Sequence, residues 1–263
     1  MTRAFLGAAA LPLVLVLALA SASAGASGAR PPVALTASPS KLELAGTSQA
    51  TVHVTNGGAS RVVLDVAEAG FALDLRGRPR VVAQRASQRS AADWLAFRPR
   101  RLVLRPGASG SVRVASKVPS RAEPGDHDAL VLFTTRRRAA DGLSVRIRMG
   151  VVVVVRAPGE IVRGIQARGL RVVGRGRARA LELSLVNRGN VTESFERARA
   201  LVSLERDGRR LARVRGEGRE LRPRTRGVLE FRYRGSVSGR VIAHVDVSSE
   251  SGQVVRRAFT IRL

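Results

Sequence analysis

The chain has 263 residues, with 46 Lys plus Arg against 20 Asp plus Glu, a net charge of +26 and no cysteine. Without thiols it has neither a disulfide framework nor a lipid-attachment cysteine, so its stability must come from core burial. Aromatic residues make up 3% of it, too few for the stacking platforms of nucleic-acid binders, and the excess charge runs evenly along the chain instead of gathering in a basic tail.

At the N-terminus a single cation, Arg3, precedes an apolar run from Ala8 to Ala20 and the small residues Ser21-Ala22-Ser23-Ala24. This pattern predicts a secretory signal peptide over residues 1–24 and an extracytoplasmic product, secreted or associated with the cell wall. The run is short of the about 20 residues of a membrane span, and Val151–Val155, the most apolar later stretch, is only strand-sized. No transmembrane helix is expected after signal cleavage.

Beyond the signal the periodicity is that of strands. Thr51–Thr55, Ser111–Val114, Ser144–Arg148 and Leu181–Leu185 alternate apolar and polar residues, so each buries one face of a pleated strand. Between such stretches lie turn residues: Asn56-Gly57-Gly58, Pro106-Gly107, Pro124-Gly125 and Asn187-Arg188-Gly189-Asn190. Asp207-Gly208 predicts a two-residue hairpin between Leu201 and Val214. The fold class expected is all-β, two immunoglobulin-like antiparallel β-sandwich domains in tandem. Ala157-Pro158-Gly159-Glu160 breaks the pattern, giving domain 1 over residues 29–157 and domain 2 over 158–263. Arg76 to Ala91, polar and weakly patterned, is expected to be a long loop.

Catalysis has little to stand on. His53, His127 and His244 lack metal-ligand spacing, and Asp126-His127-Asp128 is expected to be a turn whose histidine points away from both acids. No Gly-x-Ser-x-Gly elbow, phosphate-cradling glycine loop or acid and base pair is present. The sequence predicts no enzyme, no cofactor and no metal. Candidate ligand contacts are Trp94, on whose indole a sugar ring could stack, the cationic run Arg136-Arg137-Arg138, and Arg146 and Arg148 behind it on one strand face.

Two stretches of domain 1 are more specific. Trp94 to Pro99 is followed by Leu102 to Ser109, and then by Val118 to Leu130 with its Val-Pro, Pro-Gly and His-x-Ala elements. In domain 2, Leu185 to Asn190, Leu221 to Arg226 (arginine at position 224 in place of a glycine) and Gly239 to Ala243 continue the series. Together they resemble the WxL-interacting cell-surface proteins of Gram-positive bacteria. That resemblance implies a first domain that binds peptidoglycan or another anionic wall glycan and a second that binds a surface protein. It also implies a C-terminal membrane helix, whereas this sequence reaches Leu263 inside an expected strand. The alternative is a periplasmic pilus chaperone, which is similar in being exported, basic, cysteine-poor and two-domained, and which lends an exposed strand to a subunit by β-augmentation. Val151–Val155 is the candidate for that strand, although a run of valines also suits a strand buried on both faces. A structural envelope module is the third reading.

Overall fold

The computed structural model describes residue 31 and residues 33–82, 89–136, 146–175 and 179–263. The first ten strands in chain order are β1 (Leu35–Ser38), β2 (Lys41–Ala45), β3 (Gln49–Asn56), β4 (Val62–Leu73), β5 (Pro79–Val82), β6 (Leu95–Arg98), β7 (Arg101–Leu104), β8 (Ser109–Ser116), β9 (Gly125–Thr135) and β10 (Arg148–Ala157). They form two facing sheets. One has the order β1-β3-β8-β6, and the other β2-β10-β9-β4-β5 with β7 also on β4. Alternate residues such as Val52, Leu64, Val112, Phe133 and Val153 point into the space between and form one core.

The second half adds β11 (Ile165–Val173), β12 (Arg179–Asn187), β13 (Glu193–Phe195), β14 (Ala200–Arg206), β15 (Arg209–Arg215), β16 (Arg219–Leu221), β17 (Arg226–Tyr233), β18 (Arg240–Ser248) and β19 (Val254–Arg262). Sheets β11-β12-β17 and β15-β14-β18-β19 enclose a separate core that includes Leu183, Phe195, Val202, Phe231 and Val245, and β13 pairs with β16 at one end. The protein is therefore a tandem of immunoglobulin-like antiparallel β-sandwiches. The β14–β15 hairpin closes on Asp207 (φ 51) and Gly208 (φ 72), the two left-handed residues that a type I′ turn requires.

Two local expectations are corrected. Residues 76–91 are not one loop, because Pro79–Val82 pairs with Gly70–Leu73 as β5; the signal was only four residues long and lay among arginines. Asp126-His127-Asp128 is not a turn but the start of β9. Of the alternating stretch Ser144–Arg148, the first two residues lie outside the described residues.

Both sandwiches solve one problem in the same way. Asn56 and Asn187, each fully buried at the end of a strand, turn their side chains back on the chain. Asn56 Nδ2 donates to the carbonyls of Ser60, Leu104 and Arg105, while its Oδ1 accepts from Gly58 N–H. Asn187 Nδ2 donates to the carbonyls of Val191 and Leu221, and its Oδ1 accepts from Gly189 N–H. Each thus ties an Asn-x-Gly turn to a Leu-Arg-Pro turn, Leu104-Arg105-Pro106 or Leu221-Arg222-Pro223. Removing the Asn187 amide orphans three buried backbone groups, and removing that of Asn56 orphans four, two of them buried. Asn187→Ala should lower the stability of the protein by about 3 kcal/mol, read as a fall in the urea midpoint with an unchanged slope.

Candidate functional site

β9 places the site. In a strand, alternate residues share a face, so His127 points into the first core while Asp126 and Asp128 point out of it together. His127 meets Trp94 with ring centroids 4.3 Å apart, and its Nε2 donates to the Glu123 carbonyl at 2.7 Å. Burial pushes the imidazole below its ordinary pKa, with Arg89 adding to the effect. The two aspartates, both buried, face the second sandwich.

Asp126 accepts from Arg156 at 2.7 and 3.2 Å and from the Thr192 N–H at 2.7 Å. Burial alone would raise this carboxyl, but the Arg156 bridge and the Thr192 amide hold it below the usual carboxylate range. Next to it the backbones themselves touch. Asp126 N–H donates to the Asn190 carbonyl at 2.8 Å, and a Cβ on Gly125 (φ +101) would lie 2.0 Å from that same oxygen, so only glycine permits the approach. Asp128 takes a 2.8 Å bond from Arg222, a side chain 6% exposed that also lies over the Phe71 ring at 5.2 Å.

Further along, Lys41 on β2 reaches Glu220 at 2.5 Å and Glu43 at 2.7 Å. Burial would depress its ammonium, and the two carboxylates hold it above the ordinary value. The tip of the β4–β5 hairpin makes a second tether: the Leu75 carbonyl accepts from Val228 N–H and Arg219, and Arg76 reaches Glu182 at 2.6 Å. Between these contacts lies a cleft of 470 Å³ whose walls carry Lys41, Glu43, Arg156, Arg163, Glu193 and Glu220. Its cations are each matched to an acid, Arg163 to Glu193 at 2.7 Å being the third pair.

β10 forms one rim of the cleft, and its two halves differ. β2 pairs with it in parallel from Val152 to Arg156, and β9 pairs with it throughout. Along Arg148–Val151, no described residue pairs with the side away from β9. Ile147 bonds to Thr135 of β9 through both its N–H and its C=O, so Met149 and Val151 also turn towards β9. The N–H and C=O of Arg148 and Gly150 turn outward. Val152, next in that register, does so too and finds Ser40. Met149 and Ile147 are only half-covered at this open edge.

The residues picked out from sequence are not brought together. Trp94 is partly buried on the core side of β9, away from the cleft, where its ring meets that of His127 at a tilt of 45°. Arg136 is exposed but bonded to Asp65 at 2.8 Å, which Arg101 shares. Arg137 and Arg138 lie outside the described residues. Arg146 and Arg148 are exposed, Arg148 on the open edge. Missed were Lys41, Asp126, Asp128, Arg156 and Arg222, for which the readable signal was the Asp-x-Asp alternation that puts two acids on one face. Among the described residues no cluster of His, Asp and Glu could hold a metal, and no helix is long and apolar enough to cross a membrane.

Burial pushes the Asp128 carboxyl up to about 6, against the pull of Arg222, with Asp126 and Glu220 adding to the rise and Lys41 opposing it. A folded-state pKa above the unfolded one gives stability that is complete below the unfolded value and lost as pH rises through the folded one. From about pH 4.5 to 7 the folding free energy should therefore fall, by up to about 3 kcal/mol from this group. Asp126, depressed, acts only at lower pH. Buried His127, depressed, works the other way across that window, so urea titrations should show stability falling with pH in the native protein relative to Asp128→Asn, in which only the opposing rise from His127 remains.

No family model and no curated protein matches the chain. Solved structures do. A chaperone–tip adhesin complex of CFA/I fimbriae biogenesis is 14% identical with a TM-score of 0.51, over 86% of this chain and 98% of the other. A class 5 fimbriae chaperone is 13% identical with a TM-score of 0.49, over 86% and 97%. A chaperone–tip adhesion subunit pre-assembly complex from archaic chaperone-usher Csu pili of Acinetobacter baumannii is 12% identical with a TM-score of 0.44, over 87% and 98%. The first of these, described as a chaperone–tip adhesin complex, shares the fold of tandem immunoglobulin-like sandwiches. The CFA/I complex, whose fold matches over 86% of the chain, overturns the resemblance to WxL-interacting proteins and, with it, the binding of peptidoglycan or another wall polymer and the wall-associated location. The segments that carried that resemblance are largely turns, such as Asn187–Asn190 and Leu221–Arg226, which sandwiches of many kinds reuse. The chain shares its two-sandwich fold with the first of these structures, and an extracytoplasmic location is what its N-terminal sequence pattern leads one to expect.

Proposed function

We propose that the chain is a periplasmic chaperone that captures the subunits of a surface fibre by β-augmentation. The observation that carries this reading is the half-covered β10: β2 caps Val152–Arg156 and leaves the outward N–H and C=O of Arg148 and Gly150 without a strand among the described residues. A partner one strand short of a complete sandwich can add its edge there. Main-chain hydrogen bonds supply the affinity, and the half-covered side chains of Ile147 and Met149, on one face of the strand, can extend into its core. In support, a structure whose description names a chaperone bound to a tip adhesin shares this fold over most of the chain. In this reading residues 29–157 form the domain that meets the subunit along β10, residues 158–263 form the domain that closes the cleft, and the partner is a protein with an open sheet edge. Val151, Val153 and Val155 belong to the chaperone's own core, so the lent segment is the N-terminal half of the strand, ahead of the valine run.

Proline tests this directly. At Gly150 it deletes a donor that points away from β9, so the β9 ladder keeps its bonds, and a Cβ there meets only Leu130 and Leu132 at ordinary contact distance. Exported together with a fibre subunit that lacks its last strand, the native protein should elute with it as an equimolar complex. Gly150→Pro should weaken that capture about tenfold, the worth of one such bond, with little change in melting. Absence of a complex, or equal capture by Gly150→Pro, overturns the reading.

A further inference from the structure

Several arginines around the cleft and on the β11-β12-β17 sheet meet acids: Arg156 with Asp126, Arg163 with Glu193, Arg222 with Asp128, Arg171 with Glu182 and Arg232 with Glu217. The outward face of the β15-β14-β18-β19 sheet is different. Its inward residues, Val202, Leu204, Val214, Val245 and Val255 among them, belong to the second core, so the opposite set faces away. Register places those residues in rows that cross all four strands. One row is Arg213, Ser203, His244, Ala258; the next is Arg215, Leu201, Asp246, Arg256; on the other side lies Arg210, Glu205, Ile242, Thr260. Arg240 and Arg262 make a further pair of neighbours.

The acids of this face are already engaged, Glu205 by His244 at 3.2 Å and Asp246 by Arg256 at 3.4 Å. Arg210, Arg213, Arg215, Arg240 and Arg262 are exposed, and no described carboxylate pairs with them. Adjacent strands lie about 4.8 Å apart, so these cations span a flat field about 15 Å wide. Large apolar side chains are exposed within it: Ile242 is 42% exposed, and Leu211 and Val254 stand at its margins. Unpaired guanidinium groups interspersed with aliphatic side chains match the headgroup region of an anionic bilayer, where phosphates meet the cations and the aliphatic groups enter the acyl boundary. The first sandwich offers no such field on its β1-β3-β8-β6 sheet, where outward positions are mostly Thr, Ser and Ala, with Arg98 and Arg113.

We propose that this sheet face is a membrane-docking surface that holds the exported protein, through reversible electrostatic contact, on an anionic phospholipid bilayer. It lies on the opposite side of the second sandwich's core from the β11-β12-β17 sheet that the β4–β5 hairpin grips, and it does not depend on the chaperone reading.

Sedimentation with phosphatidylcholine vesicles containing about 30% phosphatidylglycerol tests it. The native mature protein should bind these at low salt, leave them at about 0.5 M salt, and ignore pure phosphatidylcholine. Arg210→Ser/Arg213→Ser/Arg215→Ser should bind roughly 100-fold more weakly. Arg98→Ser/Arg105→Ser/Arg113→Ser, which removes the same charge from the first sandwich, should bind as the native protein does. Ile242→Ser, a single surface change, supplies a second readout and should weaken binding severalfold with unchanged melting. Failure to bind the anionic vesicles, equal binding to neutral ones, or equal losses in the two triple variants overturns the proposal, the last outcome meaning that net charge alone is responsible.

Discussion

The arrangement of the two sandwiches depends on the pair of buried carboxylates that β9 aims out of the first core. A buried aspartate costs several kcal/mol unless a partner meets it. Asp126 and Asp128 find different partners: Asp126 takes the guanidinium of Arg156 within its own sandwich and the Thr192 amide in the other, while Asp128 takes Arg222. Two anchor points in the second sandwich, contacted from adjacent positions on one strand face, leave little freedom to rock or slide. Pairs of this kind add little net stability against a hydrophobic substitute, so their contribution here is to geometry. Phe71, stacked on Arg222, and the Gly125–Asn190 backbone contact remove the space into which the interface could relax.

That constraint extends to β10. Arg156 belongs both to the Asp126 pair and to the stretch of β10 that β2 covers, so the interface also fixes where β2 can pair. An open strand edge is a hazard in any β protein, and natural edges are kept short and charged. Here the unpaired stretch is brief, carries exposed Arg148 and follows exposed Arg146. Two residues considered as ligand contacts in the sequence therefore have a plain physical use: they discourage casual pairing at an edge that the fold leaves open. The long tether through Leu75 and Arg76 steadies the far side of the same sheet, since β4 lies beside β9.

Much of the fold is legible in the sequence because sandwich strands alternate and their turns use residues with fixed conformational meanings. Asp207-Gly208 gave its hairpin, and the Asn-x-Gly turns at Asn56 and Asn187 could be seen before their buried hydrogen bonds were known. What failed had short or ambiguous signals. β5 is four residues among arginines, and the Asp126-His127-Asp128 run, polar throughout, hides the start of a strand. The candidate site was less legible than the fold, because pairing between sandwiches joins residues such as Asp128 and Arg222 that are far apart in the chain. Periodicity along one strand says which face Asp128 occupies but not what stands opposite.

The arginine excess shows the same limit from another side. In the sequence it is an even background, since the two halves carry nearly equal surpluses. In three dimensions the acids are not evenly placed. Glu182, Glu193, Glu220 and Glu230 lie around the cleft and on the β11-β12-β17 sheet, where they neutralise the arginines within reach. Among the described acids, Glu205 and Asp246 are the ones in the strand rows of the β15-β14-β18-β19 face. The distribution of the minority charge thus decides where the majority charge is free to act. Arginine spent on pairs shapes the cleft, and the outer face of the β15-β14-β18-β19 sheet gathers several arginines that no described acid offsets, so Coulomb attraction to a distant anion is strong there.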